Sequence, residues 1–330
     1  MQLNQTYRSI LGLIELDAEL EAATIARRLK LKTASVQKAL QRLIEMQVIV
    51  GRTVIIDLNK LGITEYGINL ALDSSADSKF LLVANYLLKQ KAVSWLAEME
   101  SDVDFMFNLV SPSAYGVNRF LNKFAKDLQV ELARKEFCIR VERMRFWRGY
   151  LTPQAPQGLR FHSSSNCELV KIDQADYEIL SSLSAMRFES MRELAAAAGI
   201  PIASFLRRIK ALREKQVILG LGYRIDPAFL NMQQYRLQIT AAINTPEVLK
   251  LLKTFSASNP WVKMLAVCVG GWDYEMEIDV PNLRELKILK LQIQKLSKQH
   301  RLHVESHALV QHLKYINFPA AIPLLSALQD

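Results

Sequence analysis

Three groups of residues in this sequence have types and spacings that could do chemistry. Four of its five histidines, His300, His303, His307 and His312, fall close together in the last fifth of the chain. A metal ion needs ligands that converge on one point. On an extended strand, at about 3.3 Å per residue, His303 and His307 share a face but lie about 13 Å apart. One ion cannot bridge that, so no metal ligands are expected. The second group is Gly270-Gly271-Trp272-Asp273-Tyr274. Asp273 could accept from an ammonium while the backbone N–H groups of Gly270 and Gly271 meet a carboxylate, with Trp272 or Tyr274 shaping the pocket. That chemistry suits a small polar ligand. The third group is cationic and polar: Lys32, Ser35, Gln37, Lys38 and Arg42, and then Ser204, Arg207, Arg208, Lys210 and Arg213. Arg and Gln can bond base edges and Lys can neutralise phosphate, so these residues are expected to contact double-stranded DNA. The phosphate-loop, dinucleotide, zinc-protease and nucleophile-elbow motifs are all absent. No catalytic residue, cofactor or enzyme activity is expected on that basis.

An internal repeat must position these groups. Displaced by 169 residues, the sequence matches itself at 10 of the 24 positions from 34 to 57, including Ala34-Ser35 on Ala203-Ser204 and Gln47-Val48-Ile49 on Gln216-Val217-Ile218. The same displacement puts Asp104-Phe105 on Asp273-Tyr274. Between the copies lie Thr152-Pro153-Gln154-Ala155-Pro156-Gln157-Gly158 and Ser163-Ser164-Ser165, a composition that reads as a linker.

Each copy opens with three helices. In copy two, Asp173 is placed to cap the first, with Ile179, Leu180 and Leu183 facing inward. Met191, Leu194, Ala195 and Ala198 line the second, Gly199 ends it, and Pro201 sits where a third helix tolerates it. Phe205, Ile209 and Leu212 face inward from that helix, which leaves its cations outside. Copy one repeats the plan, with Val36, Leu40 and Leu43 inward. A β-rich stretch with glycines follows in each copy and suits a hairpin wing. The order βαββαβ then fills the rest, a split ferredoxin-like motif with one free sheet face, which predicts self-association through these domains.

The expected fold is therefore α+β: a winged helix-turn-helix over 1–60 and a ferredoxin-like effector domain over 61–150, a linker over 151–170, the same pair over 171–228 and 229–318, and a tail over 319–330. The chain has 330 residues, half of them hydrophobic, and a formal net charge of +9, which favours a polyanionic partner. No apolar run approaches the ~20 residues of a membrane helix. No leader is read at the N-terminus, and the three scattered cysteines fit a reducing cytoplasm.

With Ile172-Asp173, Gly199-Ile200, Val217-Ile218-Leu219-Gly220 and above all the Gly270-to-Tyr274 turn in place, the sequence resembles the leucine-responsive/asparagine (Lrp/AsnC) regulator family. The resemblance implies a sequence-specific DNA-binding regulator that responds to an amino acid and assembles through its effector domains. Copy one departs from the pattern: Ser101 replaces the turn glycine, although Asp104 remains, and Lys30 replaces the helix-ending glycine. The effector site is therefore expected in copy two. Siroheme decarboxylases share the architecture and are the enzymatic alternative. Their His-Asn-Tyr stretch is replaced here by Val262-Lys263-Met264-Leu265-Ala266. A sensor or assembly protein without DNA binding is a third reading.

Overall fold

The computed structural model describes residues 3–73, 79–154, 156–185 and 190–318; the expected tail, 319–330, lies outside them. Copy one begins with helices α1 (Gln5–Ile14), α2 (Ala22–Leu29) and α3 (Thr33–Glu45). Asn4 caps α1 by accepting from the Tyr7 N–H at 2.9 Å. Ile10, Leu11, Ile25, Val36 and Leu43 are fully buried between the three helices. Strand β1 (Ile49–Ile56) follows, then β2 (Thr64–Leu72), α4 (Phe80–Lys89), β3 (Val93–Glu100), β4 (Phe105–Ser111), α5 (Ala114–Leu128) and β5 (Leu132–Phe146). After β6 (Leu159–Ser164), copy two repeats the order with α6 (Gln174–Ala185), α7 (Met191–Ala197), α8 (Ile202–Glu214) and β7 (Ile218–Ile225). It continues through β8 (Gln233–Ala241), α9 (Pro246–Ser258), β9 (Val262–Gly270), β10 (Tyr274–Val280), α10 (Leu283–Lys295) and β11 (Leu302–Tyr315). The βαββαβ order is thus present twice.

The expected hairpin wings are not. Each copy supplies a single strand, and β1 pairs antiparallel with β7 of the other copy, Val54 opposite Leu221. This two-stranded sheet bridges the helix clusters. Val54 packs with α6 to α8, and Tyr223 and Ile225 pack with α1 to α3. The stretch expected as a linker is also structured. Leu151 is buried among the helices of copy one, and β6 adds to the sheet by pairing with β5.

The eight main strands join edge to edge within one molecule, where a face-to-face pairing of sheets was expected. Their order is β2-β4-β3-β11-β8-β10-β9-β5, and β5 returns to β2, which closes a barrel. Closure depends on two long strands. The first half of β5 pairs with β2 and the second half with β9; β11 pairs likewise with β8 and then β3. Alternation along the strands sorts the two faces. Tyr66, Ile68 and Leu70 of β2 and Tyr235, Leu237 and Ile239 of β8 pack under the helices. The barrel interior instead holds Glu65, Asn69, Asn108, Arg140, Arg236, Gln238 and Glu275, all buried. These groups bond one another, as burial of polar atoms requires, and only the Arg140 Nε among them lacks a hydrogen-bond partner among the described residues. Arg140 donates to Glu65 at 2.8 Å, to Asn108 at 2.7 Å and to Glu275 at 2.9 Å. Asn69 and Gln238, repeat equivalents, bond each other reciprocally at 3.2 and 3.3 Å, which places the pseudo-two-fold axis between them.

Candidate functional site

One end of the barrel opens toward the β1–β7 sheet, and the space between them is a chamber of about 440 Å³. That lies within the range of small-molecule sites. Its floor and walls come from the strand ends at that mouth, the beginnings of β3 (Trp95), β8 (Gln234) and β9 (Lys263) and the closing parts of β5 (Arg145), β10 (Glu277) and β11 (His312 and Tyr315). Arg148 and Glu15 line one side, and Tyr223 and Arg224 of β7 form the roof. A narrow lobe of about 60 Å³ continues past Arg145, Trp95 and Tyr315 toward Arg143 and Phe161.

The wall is a bonded network of polar groups. Asp279, fully buried, accepts from Tyr150 Oη at 2.6 Å and Gln234 Nε2 at 3.0 Å, and pairs with Lys263 Nζ at 2.7 Å. Burial alone would raise its carboxyl pKa, but Lys263 and then Arg148 outweigh burial and hold it low. Arg148 bridges Asp279 at 3.3 Å and Glu15 at 3.0 Å. Its Nη1 has no hydrogen-bond partner among the described residues. Trp95 Nε1 donates to His312 Nδ1 at 3.0 Å, which leaves His312 Nε2, 3.1 Å from Gln234 Oε1, to carry the ring proton. Burial among the wall atoms and the charge of Lys263 push His312 down to about 4, so it is neutral near pH 7 although its ring lines the chamber. Arg145 Nη2 donates to Tyr315 Oη at 3.3 Å, and that positive charge draws the phenol below its usual pKa despite burial.

Two cations are left over. The closest partner of Arg145 is a phenol, and Arg224 lies 5.8 Å over the Tyr315 ring. Neither pairs with a carboxylate among the described residues, whereas Glu277 is paired with Arg236 at 2.8 Å and Glu15 with Arg148. The chamber therefore offers unspent positive charge beside aromatic faces (Trp95, Tyr223, Tyr315). Guanidinium groups beside aromatic faces are the chemistry that recognises flat anions.

None of the residues singled out in the sequence as binding groups lines this chamber. Lys32, Ser35, Gln37, Lys38 and Arg42 lie exposed on α3 and its N-terminus. On α8, Arg208 is held by Asp173 at 2.9 Å and Asp176 at 2.7 Å, and Arg213 by Glu19 at 2.8 Å. Lys210 lies 3.9 Å from Glu214, and Ser204 and Arg207 remain on the outer part of the helix. The Gly270-to-Tyr274 turn is engaged internally. A Cβ at Gly270, with φ of 134°, would meet the Phe137 carbonyl at 2.7 Å, and the Gly271 N–H donates to that carbonyl at 3.0 Å. Trp272 is buried, and Tyr274 Oη donates to Asn244 at 2.5 Å. Asp273 accepts from the Ala241 N–H at 2.8 Å, as Asp104 does from Leu72 at 2.6 Å. The two aspartates thus hold equivalent turns, and Ser101 does not disturb the one in copy one. The four clustered histidines scatter: His300 bonds Thr245, His303 is exposed, His307 is buried beside Ser101, and His312 enters the chamber. No group of potential metal ligands converges among the described residues.

Of the chamber residues, the sequence patterns touch only His312, in the histidine cluster, and Lys263, in the Val262-to-Ala266 stretch. One signal was there: Arg140, Arg143, Arg145 and Arg148 recur every two or three residues along and just beyond β5, a density of cations that a strand would not carry without anions to meet.

No protein-family model matches the sequence, and no curated protein sequence matches it. Solved structures do. The siroheme decarboxylase NirDL superposes with a TM-score of 0.61 at 15% identity, over 98% of this protein and 100% of that one. Its complex with an iron-uroporphyrin III analogue gives 0.60 at 14% identity, over 98% and 99%. An AsnC-family regulator from Agrobacterium tumefaciens is 23% identical, but it spans only 47% of this protein, with a TM-score of 0.39. The end-to-end superposition on NirDL shows that this protein has the fold of that enzyme. The expectation of a non-enzymatic DNA-binding regulator is corrected accordingly. In the structure the would-be wings pair with each other over a ligand-sized chamber, and Arg208 and Arg213 are engaged in ion pairs.

Proposed function

We propose that this protein is an enzyme that removes carboxylate groups from an iron tetrapyrrole of the siroheme type, bound as substrate in the chamber. One observation carries the reading: a chamber with unpaired guanidinium groups and aromatic walls, in a fold matched end to end by a siroheme decarboxylase. The macrocycle stacks on Trp95, Tyr223 and Tyr315, and Arg145 and Arg224 bind its carboxylates, which desolvated guanidinium groups do strongly.

In the reaction, the bond between a methylene carbon and its carboxylate breaks and the electron pair stays on the methylene carbon. That carbon takes a proton, and carbon dioxide leaves. No oxidant or reductant is needed. A carboxylate held by arginine is stabilised as the anion and stays. The one that leaves must lie against apolar wall such as Leu16, Val50 or Ile55, where conversion to a neutral product is favoured. Tyr315 Oη is the proton donor at hand, because Arg145 stabilises the phenolate that remains. His312, neutral through Nε2–H, orients Gln234 and the wall.

Incubation of the purified protein with siroheme, followed by mass spectrometry, tests the proposal. Loss of one or more carbon dioxide masses is the expected result, and siroheme that stays intact after prolonged incubation, although bound, would refute it.

A further inference from the structure

The residues lining the narrow lobe and those lining the main chamber are repeat equivalents. At the 169-residue displacement, Glu65 of the lobe falls on Gln234 of the chamber, Ser94 on Lys263, Asn108 on Glu277, and Arg143 on His312. The barrel end is therefore a pseudo-symmetric pair of half-sites whose members have become unequal. Lys263 and His312 enrich the open half, and the other half is blocked.

The block comes from β6. Phe161, 8% exposed, packs with Leu16, Ile55 and Trp147 and fills the lobe from the roof side. Its ring lies where a Cβ on Gly220 would come within 2.8 Å, so β7 has been kept bare to receive it.

What remains is about 60 Å³. A water occupies about 30 Å³, so the lobe has room for a carboxymethyl group and none for a pyrrole ring. Its carboxylates are already neutralised: Glu65 lies against Arg140 and Arg143, and Glu277 against Arg236. Arg145 is the guanidinium without an anion, and it lines lobe and chamber alike. Burial and the charge of Arg145 lower the pKa of neighbouring Arg143, a repulsion that an incoming anion relieves.

We infer that the lobe is a side pocket for one carboxylate-bearing arm of the ligand, bound at Arg145, and that Phe161 sets its depth and thereby allows one of the two pseudo-symmetric ligand orientations. This rests on the tetrapyrrole reading above.

The test is titration of the full-length protein with iron uroporphyrin III, followed by Soret absorbance, for the wild type and three variants. Phe161→Trp and Ser94→Leu fill the lobe from opposite walls, and Phe161→Ala opens it; thermal melts establish that each variant is folded. Loss of one charge-assisted contact weakens binding at least about tenfold. That loss is expected in both filling variants, with Phe161→Ala staying within about threefold of wild type. Unchanged binding in either folded filling variant, or an equal loss on opening and filling, would overturn the side pocket while leaving the chamber reading intact. A wild-type protein that binds no iron uroporphyrin would remove both.

Discussion

Replacing Asp279 by Asn is a direct test of the chamber wall. The substitution keeps the shape and removes one buried charge that serves two cations. Lys263, 2.7 Å away, has no other carboxylate partner among the described residues, whereas Arg148 retains Glu15 at 3.0 Å. Breaking a buried pair costs about 3–5 kcal/mol because the survivor is left uncompensated. Lys263 keeps 15% of its side chain accessible, and Arg148 loses only one of two partners, so the low end applies, about 3 kcal/mol. Urea unfolding at pH 7 measures it. The pH dependence has a definite sign. Asp279 is held below its ordinary pKa in the folded protein, so its contribution is complete above about pH 4, the unfolded carboxyl range. It fades as the pH falls through the folded value. The gap between wild type and Asp279→Asn must therefore close on acidification. Adding Lys263→Met to the variant should recover about 1–2 kcal/mol, since the orphaned cation is then gone. A loss under about 1 kcal/mol, or a gap indifferent to acid, would show that Asp279 is not what holds these cations.

Tyr315→Phe should bind siroheme within about threefold of wild type yet release carbon dioxide about 10²–10⁴ times more slowly, the usual range for a lost proton donor; an unchanged single-turnover rate would move that role elsewhere. Asp104→Ala and Asp273→Ala should destabilise the protein similarly, each by about 1–3 kcal/mol, because each strips the acceptor from one buried strand-end N–H. Melting curves that single out one copy would contradict the equivalence of the two turns. Gly270→Ala should cost at least about 2 kcal/mol in chemical unfolding, combining a disfavoured φ with a clash on the Phe137 carbonyl; a neutral result would mean that β5 yields at that point.

Much of the fold is legible in the sequence because it depends on local or repeated information. The helix trios follow from apolar spacing around Ile10, Leu11 and Leu43 and around Ile179, Leu180 and Leu212. Asp173 and Gly199 mark helix ends through capping and backbone freedom, and the structure places them there: Asp173 accepts from the Asp176 N–H at 2.9 Å, and Gly199 has φ of 67°. Lys30 takes the same left-handed conformation at φ of 56°, so the missing glycine in copy one cost that turn strain without changing its path. The repeat itself foretold two equivalent βαββαβ units.

Strand pairing between distant segments was not legible. Alternation says which face of β1 or β7 is buried, but not that their edges meet. The same short, glycine-containing run fits a hairpin within one copy or a single strand shared between two. The excess length of β5 and β11, 15 and 14 residues, is a sequence property, but its consequence appears only when each strand finds a second partner and the barrel closes. Closure then brings Trp95, Arg145, Lys263, His312 and Tyr315 to one opening from four strands. Their chemistry is a property of that convergence. The sequence by itself determined the helices, the two βαββαβ runs and their duplication, because helix periodicity, caps and turns act over a few residues. Only the tertiary structure decided that Arg145 and Arg224 stand without a carboxylate at the barrel mouth while Arg208 and Arg213 on α8 are paired, because which guanidinium is left without an anion depends on every carboxylate the fold brings near it.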